Sequence, residues 1–161
     1  MKILPTALCA ALAAAAVAHA QAPAESELTF SLAPTYVSQY IFRGQRASGA
    51  SFEPSIEADA SGLALGVWAN RPLEDRPPGN VETEVDPYGS YTFPLSSVFS
   101  VQPGFTYYTH RPAPAGQVYY PASFEPNLAL NCTVAGLKIT PKFYYDLPQH
   151  ASTYELNATS A

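Results

Sequence analysis

Residues 51–60 read Ser-Phe-Glu-Pro-Ser-Ile-Glu-Ala-Asp-Ala, and the same Ser-Phe-Glu-Pro returns at residues 123–126. The first copy answers at a period of two. Phe52, Pro54, Ile56, Ala58 and Ala60 fall on one side, and Glu53, Ser55, Glu57 and Asp59 on the other. That alternation is the signature of a strand with one apolar and one polar face. Ser61-Gly62 then supplies a two-residue turn, and Leu63, Leu65, Val67 and Ala69 continue an apolar face, so the pair predicts a hairpin.

The second copy repeats the plan. Phe124, Pro126, Leu128 and Leu130 alternate with Glu125, Asn127 and Asn131. After the short turn CTVA, Leu137, Ile139, Phe143 and Tyr145 alternate with Lys138, Thr140, Lys142 and Tyr144. Between the copies, Glu82, Glu84 and Asp86 alternate with Val81 and Val85, and Phe99, Val101, Phe105 and Tyr107 mark another strand. Residues 27–42 predict one long first strand, with Leu28, Phe30, Leu32, Tyr36, Tyr40 and Phe42 on a single face. Residues 152–160 offer an eighth strand. No segment carries a helical period, so the fold class is all-β, an antiparallel up-and-down meander of about eight strands.

The connections alternate in length. RGQRASGA, NRPLEDRPPGNV and HRPAPAGQVYYP are long; SG, PLS and CTVA are short. A meander with unlike ends is how outer-membrane barrels are built, with short turns on one side and longer loops outside. The long loops hold Arg43, Arg46, Arg71, Arg76 and Arg111. Ser-Phe-Glu-Pro becomes the outer start of a downward strand, once in each half, its Phe toward lipid and its Glu toward the lumen.

The chain begins with Lys2, an Ala-rich apolar run and Ala18-His19-Ala20, the grammar of a cleaved secretory signal peptide over residues 1–20. Residues 21–161 then form the β domain. Its single cysteine, Cys132, rules out an internal disulfide. Its seven Lys or Arg against thirteen Asp or Glu argue against nucleic acid as a partner.

A transmembrane β-barrel, or an open part of one, is favoured over a soluble periplasmic β-sandwich that binds a ligand or protein. The segments approach the roughly 9–11 residues of a membrane-crossing strand, Tyr is abundant at strand ends, and the polar faces suit a wet lumen. Pro34, Pro54, Pro87, Pro103, Pro126 and Pro141 fall inside the proposed strands, where a missing donor predicts bulges or irregular ends.

Thr35-Tyr36-Val37-Ser38-Gln39-Tyr40-Ile41-Phe42-Arg43-Gly44 resembles the opening motif of the TorF-type porin family, a conserved hypothetical outer-membrane family of Gram-negative bacteria. Gly66-Val67-Trp68-Ala69-Asn70 is similar to its Gly-x-Trp-x-Ser/Asn strand end, and Glu84-Val85-Asp86-Pro87-Tyr88-Gly89-Ser90-Tyr91 to its Glu-x-Asp-x-Tyr-x-x-Tyr strand. The family-motif residues here are Tyr40, Phe42, Arg43, Gly44, Trp68, Asp86 and Tyr91. The resemblance implies an outer-membrane barrel passing small solutes, with no catalytic residues. It also implies periplasmic chaperones, barrel-assembly machinery and outer-membrane lipid with lipopolysaccharide as partners. Family members are usually longer, and the chain stops without a terminal aromatic, so the barrel is expected to be C-terminally incomplete.

The candidate lumen-lining groups are Glu53, Glu57, Asp59, Glu82, Glu84, Asp86, Glu125, Lys138 and Lys142. Rings of acids in a pore favour cations, so these groups either give a complete barrel a cation preference or are simply hydrated lumen or surface groups. Arg43 is expected to pair with a neighbouring acid or carbonyl rather than with lipopolysaccharide, and Trp68 to anchor at the lumen or interface. His110 and His150 sit in no nucleophile motif and offer no metal-ligand set, so neither catalysis, a metal nor a cofactor is expected.

Overall fold

The structure, a computed structural model, describes residues 27–75, 83–109 and 122–160. The signal peptide, Glu82, Arg76, His110 and Arg111 lie outside the described residues. The chain forms β1 (Thr29–Val37), β2 (Tyr40–Phe42), β3 (Gln45–Ser48), β4 (Ser51–Ala60), β5 (Leu63–Pro72) and β6 (Glu84–Tyr91). It continues through β7 (Phe93–Pro94), β8 (Phe99–Tyr108), β9 (Ser123–Val134), β10 (Leu137–Asp146) and β11 (Ala151–Ser160). One antiparallel sheet runs in the order β1-β4-β5-β6-β8-β9-β10-β11, with the short β7 also on β8. Its edges are β1 and β11, which are not paired with each other.

The turns explain the register. Ser61 and Gly62, with φ of 50° and 83°, make the tight β4–β5 hairpin, and Ala135 and Gly136, at 52° and 77°, make the β9–β10 hairpin. Two consecutive left-handed residues match the twist of paired strands. The second turn is tighter than the sequence predicts, because Cys132–Val134 belongs to β9. The first is stapled across the sheet, where Thr92 N donates to Gly62 O at 2.8 Å.

Residues 27–42 are not one strand. β1 ends at Val37, the chain bends at Ser38-Gln39, and β2 pairs with β3 as a separate hairpin, Phe42 opposite Gln45 and Tyr40 opposite Ser48. Leu28, Phe30, Leu32 and Tyr36 stay exposed, whereas Tyr40 is buried. The bend carries Tyr40 and Phe42 off the predicted apolar face. RGQRASGA is therefore no open loop but mostly the turn and return strand of this hairpin.

Burial is inverted relative to a water-soluble domain. The largest fully buried side chains are Glu84, Glu125, Asn70 and Asp146. The apolar residues stand outward, with Phe30 at 69%, Leu32 at 72% and Leu156 at 71% exposure. Ordinary interiors hold Leu, Ile, Val and Phe and almost never an unpaired acid.

Each internal proline is tolerated in the same way. Pro34 and Pro54 face each other across β1 and β4. Neither has an N–H, so theirs must be a non-hydrogen-bonded pair, with each ring nitrogen pointing to its strand's other side. For Pro34 that side is the sheet edge. For Pro54 it is β5, where the ladder lapses between Phe52↔Arg71 and Ser55↔Trp68. Pro87 matches Val67, and Pro103 and Pro126 are matched across β8 and β9, while pairing lapses on their opposite sides. Pro141 matches Leu156 on β11 and interrupts the ladder with β9. The register is the same before and after the Pro54 and Pro141 gaps, so these prolines cost single bonds and no bulge. The bulges expected from the sequence do not occur there; the register shift lies instead in the small hairpin, between Tyr40 and Ile41.

The two hairpin glycines differ in a measurable way. A Cβ on Gly62 would meet the Thr92 carbonyl oxygen at 2.9 Å, whereas one on Gly136 would meet nothing within 4 Å. Gly136→Ala should cost only left-handed strain, about 1–2 kcal/mol. Gly62→Ala should cost about 1–3 kcal/mol more through the clash. Denaturant midpoints of the two variants would order them.

Candidate functional site

The β2–β3 hairpin lies across the polar face of the sheet, at the end from which the longer connections leave. Backbone bonds seat it. Tyr40 N donates to Gly49 O at 3.3 Å, Gly49 N to Glu74 O at 3.1 Å, and Leu73 N to Ala50 O at 2.8 Å. The Ser48 and Ser51 hydroxyls bond each other at 2.9 Å. Ala47, Ser48, Ala50 and Ser51 are buried by this packing. Small residues at these positions let the hairpin approach closely.

At its tip, Arg43 and Gly44 form the turn with φ of 49° and 78°. A non-glycine residue in that region carries roughly 1–3 kcal/mol of strain. Arg43 gains a strong partner there, because its Nη2 lies 2.6 Å from both carboxylate oxygens of Glu125. Glu125 is fully buried and also accepts from the Tyr108 hydroxyl at 3.2 Å. The guanidinium stacks 4.9 Å from the Phe42 ring centre and 5.6 Å from that of Tyr144. The expectation that Arg43 pairs with an acid holds, and the acid is the glutamate of the second Ser-Phe-Glu-Pro.

A second node lies under the hairpin's start. The Tyr40 hydroxyl donates to Glu84 Oε2 at 3.4 Å, and its ring meets Trp68 at a 5.7 Å centroid distance. Burial, followed by the charges of Glu84, Asp86 and Glu53, holds the Tyr40 phenol well above its ordinary range, so it remains a donor. Asp86 Oδ1 accepts from Thr109 N at 3.0 Å. Glu53, the glutamate of the first Ser-Phe-Glu-Pro, is close enough to interact with Glu84. The two copies therefore place their glutamates at two stations beneath one hairpin.

The other predicted lining residues share this face. Glu57, Gly66 and Tyr88 stand in one row across β4, β5 and β6. The Tyr88 ring lies over Gly66, where a Cβ would strike it, and its hydroxyl reaches Glu57. Asp59 lies at the short-turn end of β4 and is half-buried. Lys142 is half-buried with its Nζ 4.8 Å from the Tyr144 ring centre, and Lys138 is exposed near the β9–β10 turn. Of the motif residues, Tyr40, Phe42, Arg43, Trp68 and Asp86 meet at the hairpin. Gly44 forms its turn, and Tyr91 lies on the outer face against Phe93.

Several members of the site are not among the lining residues expected from the sequence. Asn70 is fully buried beside Glu84, Asp146 is fully buried at the end of β10, and Tyr108 supports Glu125. Glu155 accepts from the Tyr144 hydroxyl at 2.7 Å. Strand parity carries the signal for all four, since each falls in phase with the assigned lining residues along the sheet, Glu155 directly opposite Lys142. A cleft of about 540 Å³ opens between the hairpin and β10–β11, with Phe42, Arg43, Tyr144, Thr153 and Glu155 in its wall.

The fold defines an all-β protein whose single antiparallel meander has an exposed apolar face and a polar interior closed over by its own hairpin. The chain belongs to the Gcw_chp family, described as bacterial protein of unknown function, whose pattern matches residues 21–157. No curated protein and no solved structure matches it.

The ion pair at the tip makes a quantitative prediction. Arg43→Met removes the nearest cation from the fully buried Glu125, leaving it the charge of Lys142, and should destabilise the fold by up to about 3–5 kcal/mol. Arg43→Met combined with Glu125→Gln should recover part of that loss, so a double-mutant cycle on unfolding free energies should return a coupling above about 1 kcal/mol.

Proposed function

We propose that this chain is an outer-membrane β-barrel, or an open part of one, through which small solutes diffuse, and that the resemblance to TorF-type porins reflects a shared role. The observation that carries the reading is the inverted burial: acids and amides inside, Phe, Leu, Ile and Val outside. Water penalises such a surface, and hydrocarbon rewards it. Strands β4, β5, β8, β10 and β11 are each 10 residues long, within the roughly 9–11 that cross a bilayer at a tilt. The family match begins at residue 21, just after the segment that reads as a signal peptide. Closure of the edges would complete the barrel, because open backbone edges are not tolerated in lipid.

The proposed lumen is acid-rich, with Glu53, Glu57, Asp59, Glu84, Asp86 and Glu125 on the inner face, and a cation preference follows. A soluble β-sandwich would cover its apolar face with a second sheet. Among the described residues nothing but the small hairpin packs on this sheet, and it packs on the polar side.

The decisive experiment places a lysine at Leu128, which is 49% exposed in the middle of β9. At a lipid-facing midplane position the substitution costs about 2–4 kcal/mol. At a water-facing position it stays within about 0.5 kcal/mol of neutral. Leu128→Lys should therefore deplete the folded, heat-modifiable band of outer-membrane fractions on unboiled gels. A soluble, unshifted band with unaltered stability would refute the barrel. With vesicles carrying the folded protein, reversal potentials under a salt gradient should show cation preference, and anion preference would sink that part of the reading.

A further inference from the structure

The sheet ends at two open edges, β1 and β11, whose free bonding groups match. In an antiparallel ladder each residue turns its N–H and C=O to one neighbouring strand only. Pro34 faces Pro54 in a pair that cannot bond, so Phe30, Leu32 and Tyr36, in phase with Pro34, turn these groups to the open side of β1. At the other edge, Pro141 interrupts the ladder with β9, so its partner Leu156 turns away from β10. Leu156, with Tyr154 and Ala158 in the same phase, therefore bonds toward the open side of β11. On both edges the free groups belong to residues of the apolar face. Phe30, Leu32, Tyr154 and Leu156 are more exposed than Ile56, Leu65 or Leu128 within the sheet, as side chains without a lateral neighbour must be. The main path holds eight strands, an even number, so β1 and β11 run in opposite directions. Pairing one with the other keeps apolar beside apolar and polar beside polar.

The stagger of the ladders fixes the register of that pairing. A row followed across the sheet from Thr29, the first residue of β1, passes Asp59, Ser90, Gly104 and Tyr144 and reaches Thr153 on β11. Laying β11 along nearly the whole of β1, in the matching phase, puts Thr153 opposite Val37, the last residue of β1. The row then climbs one residue per strand, which gives a tilt of about 36°, inside the roughly 35–45° of closed barrels. A register two residues shorter flattens the strands below that range, and one two residues longer leaves strand ends unpaired. The tilt is the same for one chain closed on itself and for a ring of copies, so the room inside decides between them. Eight strands closed on themselves enclose only enough space for side chains. This inner face already carries a two-stranded hairpin, with Tyr40 and Arg43 reaching Glu84 and Glu125 within the span of the strands, and a cleft of about 540 Å³ beside it. The chain's own β11 cannot meet its β1 around that content.

We propose that two copies of this chain join edge to edge, β1 of each against β11 of the other, into a ring of sixteen strands, eight from each. The inference rests on the outer-membrane reading and says what completes the pore. Lipid tolerates no unpaired edge. Two-fold symmetry is the commonest way for a chain to close with itself, and a ring of this size encloses an aqueous channel. Each junction sets Pro34 against Leu156, Leu32 against Ala158 and Ala33 against Asn157. The donor missing at Pro34 is then one lapse of the kind the sheet already accepts at Pro54 and Pro141.

Cysteine bridging tests the junction. Ala33 and Asn157 are both exposed, and as an opposed non-bonded pair their Cβ atoms would lie about 4.5–5.5 Å apart, near enough for a disulfide after small adjustment. Cys132→Ser removes the one native thiol among the described residues. In that background, full chains carrying Ala33→Cys and full chains carrying Asn157→Cys are produced together, and outer-membrane fractions are oxidised and run unreduced. A band at twice the chain mass is expected, absent when either variant is produced alone. The same band from Ala33→Cys alone would overturn the proposal in favour of β1 against β1. With both cysteines on one chain, thiols lost at the single mass would overturn it in favour of self-closure. Folded protein with both thiols free would overturn it in favour of another strand at these edges. Should the variants fail to fold, the wild-type chain still decides: light scattering in detergent micelles, corrected for the detergent, must give twice the chain mass, and the single mass would sink the pairing. Failure of the barrel reads differently. A soluble Leu128→Lys chain of unaltered stability removes lipid contact whatever these bands show, whereas a heat-modifiable monomer removes the pairing and leaves the barrel standing.

Discussion

The Arg43–Glu125 pair ties the one segment that leaves the sheet to the sheet's polar face. Glu125 projects from β9 at a position that strand parity turns inward, where burial would be prohibitive for a lone carboxylate. Arg43 reaches it only because β1 stops at Val37 and the chain folds back as β2 and β3. That return also covers Asn70, Glu84 and Ser51, so the hairpin converts one end of an open polar face into an interior. Without the pair, the turn at Arg43 and Gly44 would keep its backbone strain and lose what offsets it. Local conformation, charge pairing and burial of the inner face therefore stand or fall together.

Much of the sheet was legible in the chain. The two-residue period of SFEPSIEADA assigned Phe52 and Ile56 outward and Glu53 and Glu57 inward, and the structure places them so, because the pleat admits no other arrangement once the register is set. Ser61-Gly62 announced its turn through glycine's tolerance of a left-handed backbone. The hairpin was not legible. Tyr36, Tyr40 and Phe42 keep one parity with only Ser38 out of phase between them, so periodicity extends β1 across the bend. What turns the chain is tertiary: Tyr40 finds Trp68 and Glu84, and Arg43 finds Glu125, all distant in sequence. Asn70 closes the Gly66–Asn70 motif, but its place among acids escaped for the opposite reason. Its neighbours in sequence are ordinary, and only the ladder shows that it lies among acids.

The prolines show how a pattern can look wrong and still be right. Six of them on the apolar face argue against regular strands if every residue is assumed to bond on both sides. In an antiparallel ladder each residue's N–H serves one neighbour only. A proline whose nitrogen faces a lapse, or the edge as with Pro34, removes one bond and leaves the register intact. At the edge this has a further consequence, since a missing donor blunts β1 as a template for stray strands.

Under the pore reading the hairpin also decides where a solute can pass. It occupies the β4–β6 side of the inner face, where Tyr40, Trp68, Glu84 and Asp86 are packed together. The remaining room lies toward β10 and β11, in the cleft between Phe42 and Glu155. That passage is walled by Arg43 on one side and by Glu155 and the Tyr144 hydroxyl on another. Opposed charges across a narrow aqueous gap set up a field transverse to the path, and selectivity would then depend on how a solute's own dipole or charge lies within it. The acids of the deeper face would draw cations toward the constriction, while Arg43 would grade them at it. A hairpin that serves the interior as its cover would thus serve the passage as its narrowest wall, with the same arginine engaged in both.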